Sequence, residues 1–271
     1  MKPILVRGGG DLATGTIHKL CSSGYPVIIL ECERPSAIRR LVAFSQAVYQ
    51  GTAEVEGITC ICEQSIEDAL EKVSWDSPRL LVDADGECLR KFRPDVLVDG
   101  ILAKKNLGTN RNMADLTIAL GPGFIAGEDV DYVIETKRGH YLGRIISQGQ
   151  AIANTGVPGL IGGYGKERVL HSPCAGTFYP VKEIGDWVEL GEPVGYVESQ
   201  GNKIPVKTEI PGVLRGILPK GFLVTEHFKL ADVDPRKESR AHCALISDKA
   251  RCIAGSVLEL VSAYEKGVLK K

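Results

Sequence analysis

Three consecutive glycines follow an apolar run near the start of the chain, in the segment ILVRGGGDLATG. The stretch from Gly8 to Ala13 fits the pattern G-x-G-x-x-[GA], in which glycines allow a tight turn and a close approach of the backbone to pyrophosphate. A helix that follows such a turn offers amide groups and a positive dipole end to the anion. The alternative is a tight strand-to-helix turn that binds no nucleotide. The predicted binding residues in this loop are Gly8, Gly9, Gly10 and Asp11.

An acidic residue stands about 20 residues after the glycines, where nucleotide-binding proteins place the carboxylate that holds a ribose diol. This residue is Glu31, at the end of the apolar run VIILE. Charged residues lie beside the predicted nucleotide site, because Arg7 precedes the glycines and Glu33 and Arg34 follow the second predicted strand. The spacing therefore predicts that a nucleotide binds with its ribose on Glu31, and the charges argue against ordinary dehydrogenase chemistry.

Three later segments place polar side chains where predicted strands end: VDGILAKKNLGTN, LGPGFIAGEDV and IETKRGHYLGR. In an open parallel sheet, ligands bind beyond the carboxyl ends of the strands, so these segments are expected to converge there. Cationic side chains at such an edge contact anions, and His140 is a candidate general acid or base. A solvated face of ion pairs is the alternative for any single residue. The predicted contacts are Lys104, Lys105, Asn106, Gly121, Gly123 and Arg138.

The elements around these loops alternate between strand and helix. Apolar runs predict strands at 4–6, 27–30, 58–62, 80–83, 96–99 and 116–120, and helical spacing predicts helices at 13–23, 35–47 and 66–73. Such alternation is typical of βαβ units with right-handed crossovers. The predicted fold class is therefore α/β, with a Rossmann-like, mostly parallel sheet in residues 1–165.

The second half is rich in glycine and consists of short β segments that carry an internal repeat of about 36 residues. The repeat predicts two interlocked halves of a small β-barrel or sandwich in residues 166–240. In residues 241–271 an apolar stripe predicts a helix at 247–267 that packs back on the first domain. The repeated intervals of nine and six residues separate Gly176, Gly185 and Gly191 in one copy and Gly212, Gly221 and His227 in the other.

Composition limits the partners. The formal net charge is −1 and the basic residues are scattered among acids, so neither nucleic acid nor an acidic membrane surface is expected to bind. No run approaches the roughly 20 apolar residues that span a bilayer, and the first apolar run is too short for a signal peptide. A cytoplasmic protein with eight reduced cysteines is therefore expected. The pair Cys60 and Cys62 lacks the second pair that a zinc site needs, so no metal site is predicted.

Long strings along nearly the whole chain carry a family resemblance. They are VRGGGDLATG, AIRRLVAFSQAVY, AKKNLGT, LGPGFIAGEDVDYVIETKRGHYLGR, GGYGKERVLHSPCAGTF, KLADVDPR and ISDKARCIAGSVLE. Together they resemble the YqeB-type family, which are accessory proteins of selenium-dependent molybdenum hydroxylase systems. The resemblance implies a role in maturing a hydroxylase of the xanthine dehydrogenase kind, with that enzyme or its other accessory proteins as partners. It assigns no catalytic residue.

The repeat region, SPCAGTFYPVKEIGDWVELGEPVGYVE with TEIPGVLRGILPKG, also resembles a biotinyl/lipoyl-type barrel-sandwich hybrid domain. In carrier members of that group, the connecting hairpin holds a modified Lys, usually beside Met. Here the hairpin is SQGNKIPVK, with Lys203 and Lys207 and no Met. This departure favours a scaffold or docking module over a carrier.

The cysteines matter because a thiolate can carry selenium. Cys32 directly follows Glu31 and is the thiol best placed for the nucleotide crevice, which makes it a catalytic candidate beside His140. The neighbouring carboxylates should nevertheless raise its pKa. Cys21 and Cys252 lie on helical patterns and are expected to be small buried hydrophobic residues.

Residues and resemblance together lead to one hypothesis and two alternatives. The hypothesis is an accessory protein of hydroxylase maturation that binds a nucleotide-containing ligand, either NAD(P) or the molybdenum cofactor dinucleotide, because both contain pyrophosphate. The first alternative is an NAD(P)-dependent oxidoreductase, for which the sequence offers the glycine pattern and His140 but no clear hydride-acceptor site. The second is a non-enzymatic chaperone that docks the hydroxylase through its β module. A homo-oligomer is compatible with each.

Overall fold

The structure is a computed structural model that describes residues 1–156 and 159–269. The chain divides into two compact units. The first consists of Met1–Pro35, Val42–Asn154 and Ile246–Lys271, and the second of Ser36–Leu41 and Thr155–Leu245. A short segment that follows the second strand of the first unit therefore belongs to the second unit.

The first unit contains one nine-stranded sheet. Its strands are β1 (Ile4–Arg7), β2 (Val27–Glu31), β3 (Thr52–Val55), β4 (Ile58–Glu63), β5 (Arg79–Val82), β6 (Val96–Asp99), β7 (Leu116–Leu120), β8 (Tyr132–Ile134) and β9 (Ile145–Ile146). Across the sheet they lie in the order β3-β4-β5-β2-β1-β6-β7-β8-β9. The inner strands are parallel, and β3 and β9 pair antiparallel at the two edges.

The central strands are almost entirely apolar because both faces of the sheet are covered. Successive residues of β1 face opposite sides, so that Ile4 and Val6 pack into one apolar cluster and Leu5 into another. From β1 the chain continues to β2 on one side, and from β6 it continues to β7 on the other side. The carboxyl ends of β1 and β6 therefore form the switch point at which open α/β sheets bind ligands.

The helices are α1 (Asp11–Ser22), α2 (Ala47–Gln50), α3 (Ile66–Lys72) and α4 (Asp248–Glu265). At the start of α1, Gly15 lies so close to α4 that an added Cβ would be 2.7 Å from the Cβ of Ala250. Beyond the end of α1, the Tyr25 hydroxyl donates a 2.7 Å hydrogen bond to Glu265. The two helices are therefore parallel, with their N-termini together at the carboxyl edge of the sheet. Within the described ranges, every helix is too short or too polar to cross a lipid bilayer.

The predicted fold class is wrong. The nine-stranded sheet is mixed, and the connections from β6 to β7 and from β7 to β8 contain no α-helix, unlike the repeated βαβ units of a Rossmann-like sheet. These connections are rich in glycine, proline and asparagine, residues that favour turns over helices. Part of the helical cover comes instead from α4, the last helix of the chain.

The helix predicted at 35–47 is also wrong. The segment forms two single 3₁₀ turns, Arg40–Val42 and Phe44–Gln46, ahead of α2. The apolar spacing suited a helix, but the backbone donors are used elsewhere. The amide of Phe44 donates to the hydroxyl of Thr14 at 2.9 Å, and the amide of Ser45 donates to the carbonyl of Gly9 at 2.9 Å. Tertiary hydrogen bonds thus replace the helical ones.

In the described residues of the second unit, eight strands form two four-stranded antiparallel sheets. The strands are β10 (Val169–His171), β11 (Gly176–Pro180), β12 (Trp187–Val188), β13 (Pro193–Ser199), β14 (Asn202–Lys207), β15 (Gly212–Ile217), β16 (Phe222–Val224) and β17 (Lys229–Asp234). The sheet orders are β10-β17-β15-β12 and β14-β13-β11-β16. Each sheet ends in two edge strands, so these are separate open sheets and not the predicted barrel-sandwich hybrid module.

The internal repeat is visible in equivalent contacts of the two copies. A Cβ added at Gly212 would lie 2.5 Å from the carbonyl oxygen of Asp234, and one added at Gly176 would overlap the carbonyl oxygen of Glu198. The copies also exchange strands, because β12 of the first pairs with β15 of the second, and β16 of the second pairs with β11 of the first. The two copies are therefore interlocked through their strand pairing.

Candidate functional site

The glycine run joins β1 to α1. Gly8 has a φ of +94°, which L side chains rarely adopt. A Cβ added at Gly8 would lie 3.0 Å from the backbone of Gly100, and one at Gly9 would lie 2.9 Å from the amide nitrogen of Ser45. A Cβ at Gly10 would meet nothing within 4 Å. The packing of the protein on itself thus requires the first two glycines, and the third leaves open space.

The backbone of Gly9 is bonded through both its amide and its carbonyl. Its amide donates a 2.8 Å hydrogen bond to the carboxylate of Glu31. Its carbonyl accepts from the amide of Ser45 at 2.9 Å and from the hydroxyl of Thr14 at 3.0 Å. The second carboxylate oxygen of Glu31 accepts from the amide of Cys32 at 2.8 Å. Glu31, predicted to hold a ribose, therefore holds the loop itself.

Gly10 is the N-cap of α1, and no side chain caps this helix. Among the described residues, the amide of Gly10 makes no hydrogen bond. The amides of a first helical turn have no acceptor within the helix, and together with the helix dipole they attract anions. Gly10 and the first turn of α1, which also contains Asp11, are therefore the part of the loop whose backbone donors are open to a ligand.

The loop after β6 packs between two glycine segments. Its start lies against Gly8, and a Cβ added at Gly123 would lie 2.7 Å from the amide nitrogen of Lys105. Leu102 and Lys104 have positive φ values of 60° and 63°. This conformation costs roughly 1–3 kcal/mol for a residue other than glycine, and it persists where the surrounding structure imposes it, often at ligand sites.

The two lysines of this loop are exposed, and within the described ranges Lys104 and Lys105 form no ion pair or hydrogen bond. Asn106 instead shapes the loop. Its side-chain amide donates to the carbonyl of Thr109 at 2.8 Å, and its side-chain oxygen accepts from the amide of Gly108 at 2.8 Å. Two cationic side chains are thus available to a ligand at the edge of the sheet, whereas the asparagine is engaged.

A buried ionic network that we did not predict from the sequence lies at the ends of β1 and β6. The guanidinium of Arg7 is 3.9 Å from the carboxylate of Asp99. The hydroxyl of Thr109 joins them, accepting from Arg7 at 2.5 Å and donating to Asp99 at 2.6 Å. Burial raises the pKa of Asp99. The charges that end two otherwise apolar strands are the sequence signal that could have located this network.

Glu135 follows β8 and is only 2% exposed. Its carboxylate accepts hydrogen bonds from the amides of Lys137 at 2.7 Å and Ile152 at 2.8 Å. Beside it, Gly121 has a φ of +79°, and a Cβ there would lie 2.7 Å from the hydroxyl of Thr136. The loop after β7 is therefore packed closely on the end of β8.

Arg138, predicted to contact an anion, forms a bidentate ion pair with Asp248 at the start of α4, at 2.8 and 3.0 Å. The next residue, Lys249, is half-buried. Burial and the charge of Arg138 lower the pKa of Lys249, while the charges of Asp11 and Glu135 act in the opposite direction. Lys249 thus lies among the charges near the N-termini of α1 and α4. The sequence predicted Lys249 on a helix that packs back on the first domain, but helical spacing did not show that Lys249 would lie near Asp11 and Glu135.

The two catalytic candidates are an exposed histidine, His140, and a partly buried thiol, Cys32. His140 is exposed and makes no hydrogen bond within the described residues. Burial and the neighbouring Glu31 raise the pKa of Cys32 to about 11, so it is a neutral thiol at physiological pH. Cys21 is buried as predicted, whereas Cys252 is exposed on α4, contrary to the prediction. Helical spacing alone did not show which face of α4 carries Cys252.

The hairpin of β13 and β14 turns at Gln200 and Gly201, which both have positive φ. Lys203 pairs with Glu198 across the strands, and its ammonium lies 4.8 Å from the centre of the Tyr196 ring. Neither Lys203 nor Lys207 therefore lies in the turn itself. Among the residues that the structure describes, no group of three or more His, Cys, Asp or Glu side chains could hold a metal ion.

No family model matches the chain. Solved structures show only a low likeness to it. An aspartoacylase family protein of Mesorhizobium loti is 13% identical over 87% of this chain and 86% of its own, with a TM-score of 0.29. A succinylglutamate desuccinylase/aspartoacylase of Rhodobacter sphaeroides is 10% identical over 87% and 85%, with a TM-score of 0.30. These scores carry no inference about function.

One curated relative is much more similar in sequence. The uncharacterized protein YqeB of Escherichia coli (strain K12) is 43% identical over 266 residues, which cover 98% of this chain. The chain spans about half the length of that relative, 48% of it. The YqeB-type resemblance is therefore confirmed along nearly the whole chain. It does not extend to an activity, since that relative is itself uncharacterized.

Proposed function

We propose that this chain is an accessory protein in the maturation of a selenium-dependent molybdenum hydroxylase, and that it binds a nucleotide-containing ligand at the carboxyl ends of β1 and β6. The observation that carries the binding proposal is the open position at Gly10. Its amide makes no hydrogen bond to any residue that the structure describes, it caps the start of α1, and it lies at the switch point of the strand order. The long strings that resemble the YqeB-type family support the maturation role.

The residues around Gly10 fit a pyrophosphate. The phosphate groups would bind the amides of Gly10 and the first turn of α1, with Lys104 and Lys105 as the available cations. Gly8 and Gly9 are occupied by protein contacts and play no part in this binding. Pyrophosphate is common to NAD(P) and to the molybdenum cofactor dinucleotide, so the same residues serve either ligand.

Calorimetric titration of the full chain with NAD, NADP and CDP tests the binding proposal. Gly10→Glu adds a Cβ at a position where it meets no atom within 4 Å, so the fold should be kept while the new carboxylate repels phosphate. The matched control is Gly255→Glu, at an exposed glycine of α4 with equally open surroundings. We expect binding that Gly10→Glu weakens by about tenfold or more and Gly255→Glu leaves unchanged. Failure of all three probes to bind the unmodified chain would contradict the proposal.

Complementation in cells tests the maturation role. A strain that lacks this protein should produce the hydroxylase with reduced selenium content and activity, and the unmodified chain should restore both. Gly10→Glu should fail to restore them at equal protein level, whereas Gly255→Glu should succeed. Normal selenium content without the protein would refute the role. Turnover of a nicotinamide cofactor by the purified chain would identify an oxidoreductase instead.

A further inference from the structure

A cavity of about 350 Å³ lies beside β9. No residue assigned to the nucleotide site lines it, so it is a separate site. Its volume lies at the lower end of the roughly 300–1,000 Å³ typical of small-molecule pockets. Its lining combines one buried acid, one arginine and several apolar and amide side chains, among them Glu135, Tyr141, Arg144, Ile145, Ile146 and Ile152.

Two residues of opposite charge that line this cavity, Glu135 and Arg144, lie opposite each other in the backbone pairing just beyond β8 and β9. Ile134 of β8 is opposite Ile145 of β9, and one residue further the amide of Glu135 donates to the carbonyl of Arg144 at 3.0 Å. Side chains at such opposite positions have Cβ atoms only about 4.5–5.5 Å apart. The guanidinium of Arg144 nevertheless lies over the ring of Tyr141, 5.6 Å from its centre. In the described part of the chain, Arg144 forms no ion pair with Glu135 or with any other acid.

Glu135 is held in place with acceptor capacity to spare. Each of its carboxylate oxygens accepts one backbone amide, from Lys137 and from Ile152, and each oxygen can accept a second donor. Lys249 is near enough for their charges to interact, but it forms no ion pair with Glu135 among the described residues. Both groups line the cavity, so the acid offers it acceptor sites that no described residue fills, and the exposed arginine offers donors that no described acid binds.

A molecule that carries an ammonium and a carboxylate on one carbon satisfies both groups at once. We propose that this cavity binds a small α-amino acid with an apolar side chain, its ammonium on Glu135 and its carboxylate on Arg144. The isoleucines at 145, 146 and 152 form the apolar part of the lining that would receive the side chain. This site goes beyond the proposed nucleotide binding and does not depend on it.

Calorimetry of the full chain with three probes of nearly equal size tests the proposal. L-leucine carries both charged groups, 4-methylpentanoate lacks the ammonium, and 3-methylbutylamine lacks the carboxylate. We expect L-leucine to bind and each analogue to bind about tenfold or more weakly, because each leaves one charged partner unsatisfied. The proposal is overturned if leucine, isoleucine, valine, methionine and phenylalanine all fail to bind, or if both analogues bind as tightly as leucine.

Two variants test which side chain of the cavity binds each charged group of the amino acid. Arg144→Gln should bind L-leucine only as tightly as the unmodified chain binds 3-methylbutylamine. It should leave CDP binding unchanged. Its control, Arg90→Gln, removes an exposed arginine that pairs with Glu87 and should leave L-leucine binding unchanged. Glu135→Gln should bind L-leucine only as tightly as the unmodified chain binds 4-methylpentanoate. Unchanged binding of 4-methylpentanoate by this variant would show that the cavity is intact. Normal L-leucine binding by Arg144→Gln would overturn the assignment.

Discussion

The carboxylate of Glu31 accepts a 2.8 Å hydrogen bond from the amide of Gly9, the middle residue of the glycine run. An acid at the end of β2 thus stabilises the turn between β1 and α1 without any ligand. Among the described residues the amide of Gly10, one residue further, has no such acceptor. The first two glycines of the run therefore allow close packing, and the third leaves open space.

Glu31→Gln tests whether the Glu31 carboxylate stabilises the turn between β1 and α1. The side-chain amide has one acceptor where the carboxylate has two, so one of the amides of Gly9 and Cys32 loses its partner. We expect the free energy of unfolding to fall by about 1–3 kcal/mol, measured by urea denaturation. The control is Glu128→Gln, at an exposed acid that makes no hydrogen bond through its side chain within the described residues. Equal stability of the two variants would show that the contact is not stabilising.

Gly9→Ala and Gly10→Ala separate the packing role from the binding role. A Cβ at Gly9 would approach the amide nitrogen of Ser45 to 2.9 Å, whereas one at Gly10 meets no atom within 4 Å. We expect Gly9→Ala to destabilise the chain by about 1–3 kcal/mol. Gly10→Ala should change stability by less than about 0.5 kcal/mol. Thermal unfolding of both proteins measures the difference, and a reversed order would contradict the packing found here.

Cys32 should react slowly with alkylating agents. Burial and the charge of Glu31 raise its pKa to about 11, and the thiolate is the reactive form. At pH 7.5 we expect iodoacetamide to modify Cys32 more than about tenfold more slowly than the exposed Cys252. The rate at Cys32 should rise about tenfold per pH unit up to about pH 11. Peptide mass spectrometry measures both rates, and rapid labelling of Cys32 at pH 7.5 would restore it as a candidate selenium carrier.

The buried strands could be predicted because a strand covered on both faces is a continuous apolar run. The expected strands at 96–99 and 116–120 match β6 and β7 at both ends. The helix at 35–47 could not be excluded in the same way, because its apolar spacing is helical. What prevents the helix is the use of the amides of Phe44 and Ser45 by α1 and the glycine run, which are distant in sequence. The fold class failed because the sheet is mixed and the connections after β6 and β7 contain no α-helix, which the apolar pattern of the strands does not show.

The sequence predicted which loops form the candidate site, but it did not predict which distant residues their side chains contact. The segments after β6, β7 and β8 were expected to converge because parallel strands end at one edge, and the structure packs Gly123 on Lys105 and Gly121 on Thr136. No local pattern could show that Arg138 would bind Asp248. That pairing depends on how α4 returns to the first unit, which is set by packing against α1.

The stability of the chain should depend on pH through Glu56. Burial would raise the pKa of Glu56, but hydrogen bonds from the amide of Ile246 at 2.8 Å and the guanidinium of Arg251 at 2.7 Å outweigh it and hold the pKa below the ordinary value of a glutamate. Because the pKa is lower in the folded state, the stabilisation is fully present above the unfolded-state value. It is lost as the pH falls through the folded-state value.

Glu56→Gln should therefore destabilise the chain by about 1–2 kcal/mol at pH 7, and the difference from the unmodified protein should shrink between about pH 5 and pH 3. Urea unfolding across this range measures it. Glu259→Gln, at an exposed acid of α4 that forms no ion pair within the described residues, is the matched control and should show no such convergence. A difference for Glu56→Gln that stays constant from pH 7 to pH 3 would show that the charge of Glu56 does not stabilise the start of α4.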